Sequence, residues 1–157
     1  MRLKRYDYAN ARCYFITICV KNGHELLGEL VGDDAHIVPP KVMYSEYGKI
    51  TDQFINRINR VYTDIFVDKY VNMPNHVHMI LVLKNRSGTM WASSPTQTTI
   101  PNVIRSLKIL IAKKCGFSLW QRSYHDHIIR DEAEYQKIYH YIDQNPARWT
   151  KDRYYVK

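Results

Sequence analysis

The sequence predicts a single α+β domain whose central sheet is mainly antiparallel, has four or five strands and is flanked by helices. Three observations predict this class. Apolar β-branched segments come in pairs joined by short, turn-like connections, which force antiparallel neighbours. Other segments carry apolar residues at helical spacing. The strand predicted at residues 76–83 is apolar on both faces beyond its first residues, so both faces of the sheet should be covered.

The strands are predicted from apolar segments bounded by turn residues. Residues 11–20, ARCYFITICV, show little alternation and indicate a buried strand. Residues 26–38 contain two short apolar pieces around Gly-Asp-Asp, which is typical of a hairpin. Residues 65–72 and 76–83 flank Met-Pro-Asn and predict a second hairpin. A short last strand is predicted at residues 123–130.

The first two helices are predicted from periodicity and from their ends. Residues 41–60 show the helical spacing in Tyr47, Ile50, Phe54, Ile58 and Val61. The second helix follows Pro101, and Gly116 is a natural stop for it.

The third helix is predicted to start near Asp131. Its carboxylate, followed by Glu134 three residues later, resembles a capping arrangement. The helix should end at Asn145-Pro146, because the residue before a proline is disfavoured in the α region. We see no domain boundary in residues 1–157, and expect a mobile connection at 84–97 and a C-terminal tail at 146–157.

The charge indicates a polyanion as the partner. Lys and Arg outnumber Asp and Glu by 23 to 15, which gives a formal net charge of +8, and there are 13 tyrosines. Cations interleaved with aromatic rings suit nucleic acid with unpaired bases. The alternative is a basic protein whose charge serves only solubility.

Other features exclude several classes of protein. Cys13, Cys19 and Cys115 are odd in number and unclustered, which disfavours a disulfide framework or a zinc–thiolate site and indicates a reducing compartment. No segment approaches the roughly 18 consecutive apolar residues of a membrane span. The N-terminus, MRLKRYDYANAR, is unlike a signal peptide. We therefore expect a cytoplasmic, nucleoid-associated protein with no membrane partner.

His76 and His78 are the first candidate site residues. Side chains alternate along a strand, so the two imidazoles project from one face and can converge on one cation. The alternative is a pair of hydrogen-bonded histidines at a strand edge. A second His-x-His, at His125 and His127, has a charged middle residue and a short strand, which favours a solvated position.

The third helix supplies further candidates. Tyr141 and Asn145 lie four residues apart on one helical face, beside an apolar stripe of Ile138 and Ile142. If that face meets the sheet, Tyr141 lies beside the histidines, and Asn145 offers an amide oxygen to a cation. Imidazole and oxygen ligands together suit Mg²⁺ or Mn²⁺. Taken singly, Tyr141 could be a packing residue and Asn145 a helix cap.

Three segments together resemble the single-tyrosine HUH transposases (insertion-sequence-200-like), and most closely the REP-associated tyrosine transposases. They are P-N-H-V-H-M-I-L, L-W-Q-R-S-Y-H-D-H-I-I-R and Y-I-D-Q-N-P, and the similarity runs from Tyr6 to Trp149. The resemblance implies a ferredoxin-like HUH fold. It implies that His76 and His78 bind a divalent metal, that Tyr141 is the nucleophile, and that Asn145 completes the metal site, with Gln144 as a fallback ligand.

The activity that this resemblance implies is metal-dependent cleavage and transfer of single-stranded DNA through a 5′-phosphotyrosine intermediate. The substrate would be DNA that folds into hairpins. Members of the family occur as monomers and as homodimers that exchange the tyrosine helix, and both states stay open. The candidate DNA-binding residues are Arg2, Lys4, Arg5, Tyr6, Arg105, Lys108, Arg148 and Lys151, with Arg153 and Tyr154 in the same C-terminal cluster as the last two.

Two other functions compete with this one. A DNA-binding regulator of the same fold that does not cleave needs the charge and the aromatic residues but no metal. A replication-initiator or relaxase nickase shares the histidine pair, but those proteins usually have a third histidine and a longer chain.

Overall fold

The computed structural model describes residues 11–32, 39–84 and 99–155. Within these ranges the chain forms six strands and three α-helices, with three strands before the first helix, two before the second and one before the third. They are β1 (Ala11–Cys19), β2 (Gly28–Val31), β3 (Lys41–Tyr44), α1 (Glu46–Val61), β4 (Ile65–Asn72), β5 (His76–Lys84), α2 (Ile100–Cys115), β6 (His125–Ile129) and α3 (Glu132–Gln144). Of the predicted connection at 84–97, only Lys84 lies within the described residues, as the last residue of β5, and the arm before Ala11 lies outside them.

The main sheet has four strands in the order β4-β5-β1-β6, and every pair is antiparallel. β5 lies in the middle and is buried along its length up to Lys84. The predicted α+β class and the antiparallel sheet are confirmed. Strands β2 and β3 form a separate two-stranded ribbon.

Helices cover both faces of the sheet. Val77, Met79 and Leu81 of β5 pack in one core with α1 and α2. Ile80 and Val82 point the other way and pack with Tyr135 and Ile142 of α3. This arrangement follows from strand alternation in a segment that is apolar at every position after its histidines. His76 and His78 share the parity of Ile80, so they lie on the α3 face.

The predicted start of the first helix at residue 41 is wrong. Residues 41–44 form β3, which pairs with β2, so the hairpin closes later than the predicted range 26–38. Ser45 is the N-cap of α1, and its hydroxyl accepts from the amide of Gly48 at 3.1 Å. Helical periodicity begins only after that cap, whereas Val42 and its neighbours have strand character.

The other helix boundaries follow the predicted signals. Asp131 caps α3 and accepts from the amide of Glu134 at 2.8 Å. Gly116 ends α2 with a φ of 92°, in the left-handed region that favours glycine. None of the helices in the described ranges is long and apolar enough to cross a membrane.

Candidate metal and nucleophile site

The two histidines lie at the start of β5, on the face that α3 covers. His76 pairs with Cys19 and His78 with Thr17 of β1. Their rings are 0% and 1% exposed, and the ring centres are 4.5 Å apart. A rigid central strand therefore holds both imidazoles side by side.

Each histidine is oriented by a neighbouring polar group. Nδ1 of His76 lies 2.8 Å from Oδ1 of Asn75, whose amide nitrogen donates to the carbonyls of Gly23 and Tyr154. Nδ1 of His78 lies 2.8 Å from the hydroxyl of Thr17. Because the Asn75 amide nitrogen is engaged elsewhere, its oxygen faces His76 and accepts from Nδ1. Nε2 of His76 then carries the lone pair that can bind a cation.

Helix α3 brings the predicted tyrosine and asparagine to the histidines. The Tyr141 ring centre lies 5.2 Å from that of His78, and the side chain is 37% exposed. Asn145 is buried at the C-terminal end of the helix. Gln144 is exposed instead. The two residues differ because only Asn145 continues the helical face that Tyr141 presents to the sheet.

Asp152 is a site residue that the sequence interpretation missed. One of its carboxylate oxygens lies within 4.8 Å of ring nitrogens of His76 and His78. Its Oδ2 accepts from the Tyr141 hydroxyl at 3.2 Å and from Asn145 Nδ2 at 3.0 Å. Its signal in the sequence is a carboxylate seven residues after Asn145, within the predicted C-terminal tail at 146–157.

That stretch folds back over the histidines. Residues Pro146–Lys151 form a 3-10 helix, and Trp149 is buried 5.9 Å from the His76 ring centre. The ring centre of Tyr154 lies 4.5 Å from that of His76. The backbone carbonyl of Tyr154 accepts from Asn75 Nδ2 at 2.7 Å. The site is thus built from β1, β5, α3 and the segment after α3.

The electrostatics keep both histidines neutral and the tyrosine protonated. Burial lowers the pKa of His76 to about 4 despite the nearby charge of Asp152. Burial also holds the pKa of His78 well below its ordinary value, and the neighbouring His76 adds to this. Burial, with Asp152 beside it, raises the pKa of the Tyr141 phenol to about 12.

The donor atoms fit a divalent metal ion. Nε2 of His76, Nε2 of His78 and Oδ1 of Asn145 are buried and have no hydrogen-bond partner among the described residues. Buried polar atoms are normally paired, so three unpartnered polar atoms in one site indicate a ligand. Two imidazole nitrogens with an amide oxygen and a carboxylate are compatible with Mg²⁺ or Mn²⁺.

An open cleft of about 420 Å³ borders this site. Phe15 and Thr17 of β1 line it together with His78, Tyr141 and Tyr154. Lys137, one helical turn before Tyr141, and Arg153 bring positive charge to it. Lys137 had no signal in the sequence beyond its spacing of four residues from Tyr141.

The predicted DNA-binding residues fall in different places. Arg2, Lys4, Arg5 and Tyr6 lie outside the described residues. Arg148 and Lys151 are exposed on the 3-10 helix beside the site. Arg105 is exposed on α2, which covers the opposite face of the sheet. Lys108 donates to the carbonyls of Gln121 at 2.7 Å and Arg122 at 3.0 Å, so its ammonium group holds that connection.

Comparison with known proteins supports the fold and defines a family. No protein-family model matches the sequence. An uncharacterized protein of Haemophilus influenzae is 34% identical to the chain over 172 residues, covering 99% of this chain and 92% of that protein. The chain belongs to the family of that protein.

A solved structure of a REP-associated tyrosine transposase bound to a REP hairpin has a similar fold. The match covers 92% of this chain and 72% of that chain, with a TM-score of 0.62 and 20% identity. The resemblance to these transposases is therefore confirmed at the level of the fold.

Proposed function

We propose that this family member is a metal-dependent endonuclease and strand transferase for single-stranded DNA, acting on DNA that folds into hairpins. In this proposal one domain spanning residues 1–157 carries the whole activity. One observation carries the proposal. Three buried polar atoms of His76, His78 and Asn145 have no partner among the described residues, and Asp152 links Asn145 to the hydroxyl of Tyr141. The proposal draws further support from the fold shared with a transposase that binds a REP hairpin.

His76, His78 and Asn145 would hold the ion, with Asp152 available as a fourth ligand. When bound, a divalent ion withdraws electron density from a phosphate oxygen and so makes the phosphorus more electrophilic. Thr17 and Asn75 fix the ring orientations of the two histidines, as outer partners of metal ligands do.

Tyr141 is the nucleophile in this proposal. A bond forms between its phenolic oxygen and phosphorus while the bond from phosphorus to the 3′-oxygen breaks, which leaves a 5′-phosphotyrosine and a free 3′-OH. The phenol proton has Asp152 as its acceptor, and the departing 3′-oxygen takes a proton from water. Because the linkage conserves the bond energy, another 3′-OH can reverse the step and join strands.

The DNA strand would lie in the cleft beside Tyr141. Lys137 and Arg153 offer positive charge to its phosphates, and Phe15 and Tyr154 offer aromatic surfaces to its bases. Arg148 and Lys151 extend the positive surface along the 3-10 helix. The contributions of the N-terminal arm and of Arg105 and Lys108 stay predictions.

The decisive experiment uses a labelled hairpin oligonucleotide with a single-stranded flank, incubated with the protein and Mn²⁺. Wild type should yield a covalent protein–DNA adduct that survives denaturation, and Tyr141→Phe should yield none. Tyr47→Phe, on α1 at the opposite face of the sheet, is the matched control and should retain the adduct. An unchanged adduct in Tyr141→Phe would refute the assignment of the nucleophile.

The same oligonucleotide separates cleavage from simple binding. Tight hairpin binding by wild type with no adduct under any divalent ion would favour the non-cleaving regulator. The contribution of the cleft to binding is tested with Arg153→Ala, which should weaken DNA binding. The slope of log affinity against log salt concentration should also become smaller in magnitude, by about the contribution of one phosphate contact. Lys113→Ala, on the exposed side of α2, is the control and should leave both unchanged.

A further inference from the structure

The edge strand β4 carries a bulge beneath the helix that bears Tyr141. Its pairing with β5 shifts register between Val67 and Lys69, so Asp68 is the extra residue. Val67 before the bulge and Tyr70 after it both face the core under α1 and α2. Asp68 and Lys69 therefore both face α3, an arrangement that regular alternation along a strand does not permit.

Both bulge side chains bind α3. The hydroxyl of Tyr135 donates to Oδ2 of Asp68, and both residues are buried. Nζ of Lys69 donates to Oδ1 of Asp143 at 2.8 Å and lies 4.6 Å from the centre of the Tyr139 ring. Tyr135, Tyr139 and Asp143 follow one another at intervals of four residues, so they form one stripe along the helix. We call these five residues the β4–α3 clamp.

A second stripe of α3 faces the candidate site: Lys137 and Tyr141 line the cleft, and Asn145 is the C-cap residue of the helix. Lys137, Tyr141 and Asn145 also follow one another at intervals of four residues, and Ile138 and Ile142 lie between the two stripes, against the sheet. Because the stripes belong to one 13-residue helix, contacts that fix the first stripe also fix the rotation and the axial position of the second.

We propose that Asp68 and Lys69 are positioning residues for Tyr141, acting through α3. This inference rests on the proposed function, since it concerns the placement of the proposed nucleophile. Neither residue lines the cleft, so the clamp acts on where the Tyr141 hydroxyl lies relative to His78 and leaves DNA contacts intact. A displacement of about 1 Å in a reacting atom can lower a rate by about 100-fold.

Two variants loosen the clamp at different points. Tyr135→Phe removes the hydroxyl that binds Asp68, and Lys69→Met removes the contacts of the ammonium group with Asp143 and Tyr139. The matched control is Tyr70→Phe. Tyr70 lies on the same strand, and its hydroxyl donates to Asp52 of α1 on the opposite face of the sheet. The control therefore removes a tyrosine–aspartate bond between β4 and a helix that carries no site residue.

The first measurement is the single-turnover rate of adduct formation at saturating DNA. We expect the rate to fall by about 10- to 100-fold in both clamp variants, with the DNA dissociation constant within about twofold of wild type. Tyr70→Phe should keep the wild-type rate. Asp68→Asn keeps an acceptor for the Tyr135 hydroxyl and should be slowed less than Asp68→Ala. A wild-type rate in both clamp variants, or an equal loss in Tyr70→Phe, would overturn the proposal.

The second measurement needs neither metal nor DNA. Hydrogen exchange of backbone amides should accelerate in α3 for Tyr135→Phe and Lys69→Met, and in α1 for Tyr70→Phe. If wild type forms no adduct at all, the proposed function fails while this measurement still judges the clamp. Unchanged exchange in α3 of both clamp variants would show that the bulge does not fix the helix.

Discussion

The chain carries two His-x-His motifs on the same face of one sheet, and they lie in opposite environments. His76 and His78 are buried on the central strand β5, whereas His125 and His127 are exposed on the edge strand β6. The two motifs lie on the same face because Thr17 of β1 pairs with His78 of β5 on one side and with His125 of β6 on the other.

The difference shows what makes a histidine pair a ligand set. At β5 Thr17 and Asn75 engage the two Nδ1 atoms, and neither Nε2 has a hydrogen-bond partner among the described residues. At β6 the Nε2 of His127 already binds Glu134 at 2.9 Å. Spacing is the same in both motifs. Burial and outer partners distinguish them, and these depend on the neighbouring strand and on α3.

The largest expected effect is the loss of metal binding on removing one buried histidine. His78→Ala should lower Mn²⁺ affinity by more than the roughly 100-fold that loss of an outer partner costs, because a ligand itself is removed. His125→Ala should leave the affinity unchanged. Isothermal titration calorimetry with Mn²⁺ measures both. Equal losses of Mn²⁺ affinity in the two variants would show that the two motifs do not differ as metal ligands.

The next effect is a pH dependence of stability in the metal-free protein. The folded-state pKa of His76, about 4, lies below its ordinary value of 6.5, so the unfolded chain binds the proton more readily. Stability should therefore be fully present above pH 6.5 and decrease as the pH falls towards about 4. The difference between these two pKa values corresponds to a loss of ~3 kcal/mol in the free energy of unfolding.

Urea unfolding in EDTA at pH 7.5 and at pH 4.5 measures this effect. The double variant His76→Gln/His78→Gln should lose less stability between the two pH values than wild type. The double variant His125→Gln/His127→Gln should lose as much as wild type. The opposite order would contradict the assigned environments.

The sequence was sufficient for the parts of the fold that local patterns encode. The apolar run after His78 predicted a covered central strand, and Asp131 with Glu134 predicted the start of α3. It was insufficient at residues 41–44, where a weak strand pattern precedes Ser45 and only pairing with β2 stabilises the strand. Four residues can form such a ribbon or a first helical turn, and tertiary contacts decide between them.

The candidate site shows the same limit. The face shared by Tyr141 and Asn145 could be predicted because helical spacing fixes it. Asp152 could not, because its approach to His76 depends on the fold-back of the segment after α3, which non-local contacts such as that of Asn75 with Tyr154 hold in place. The bulge at Asp68 is also hidden, since one extra residue leaves no local pattern in a mixed apolar strand.

A smaller effect is expected from the outer partners of the buried pair. Thr17→Val removes the hydroxyl that orients His78 and keeps the shape of the side chain. We expect Mn²⁺ affinity to fall by about 10- to 100-fold. Thr51→Val, which removes a buried hydroxyl bound within α1, is the control and should leave the affinity unchanged. Wild-type affinity in Thr17→Val would mean that packing alone orients His78.

The smallest effect belongs to the exposed pair. Glu134→Gln removes the charge that His127 contacts and keeps a side chain able to accept from the amide of Arg130. Exposed ion pairs often contribute nothing measurable to stability, because water and salt screen them. We therefore expect unchanged Mn²⁺ affinity, an unchanged rate of adduct formation and no resolvable change in urea unfolding at pH 7.5. A loss of metal binding in Glu134→Gln would make His127 an outer partner of the site and would remove the contrast between the two motifs.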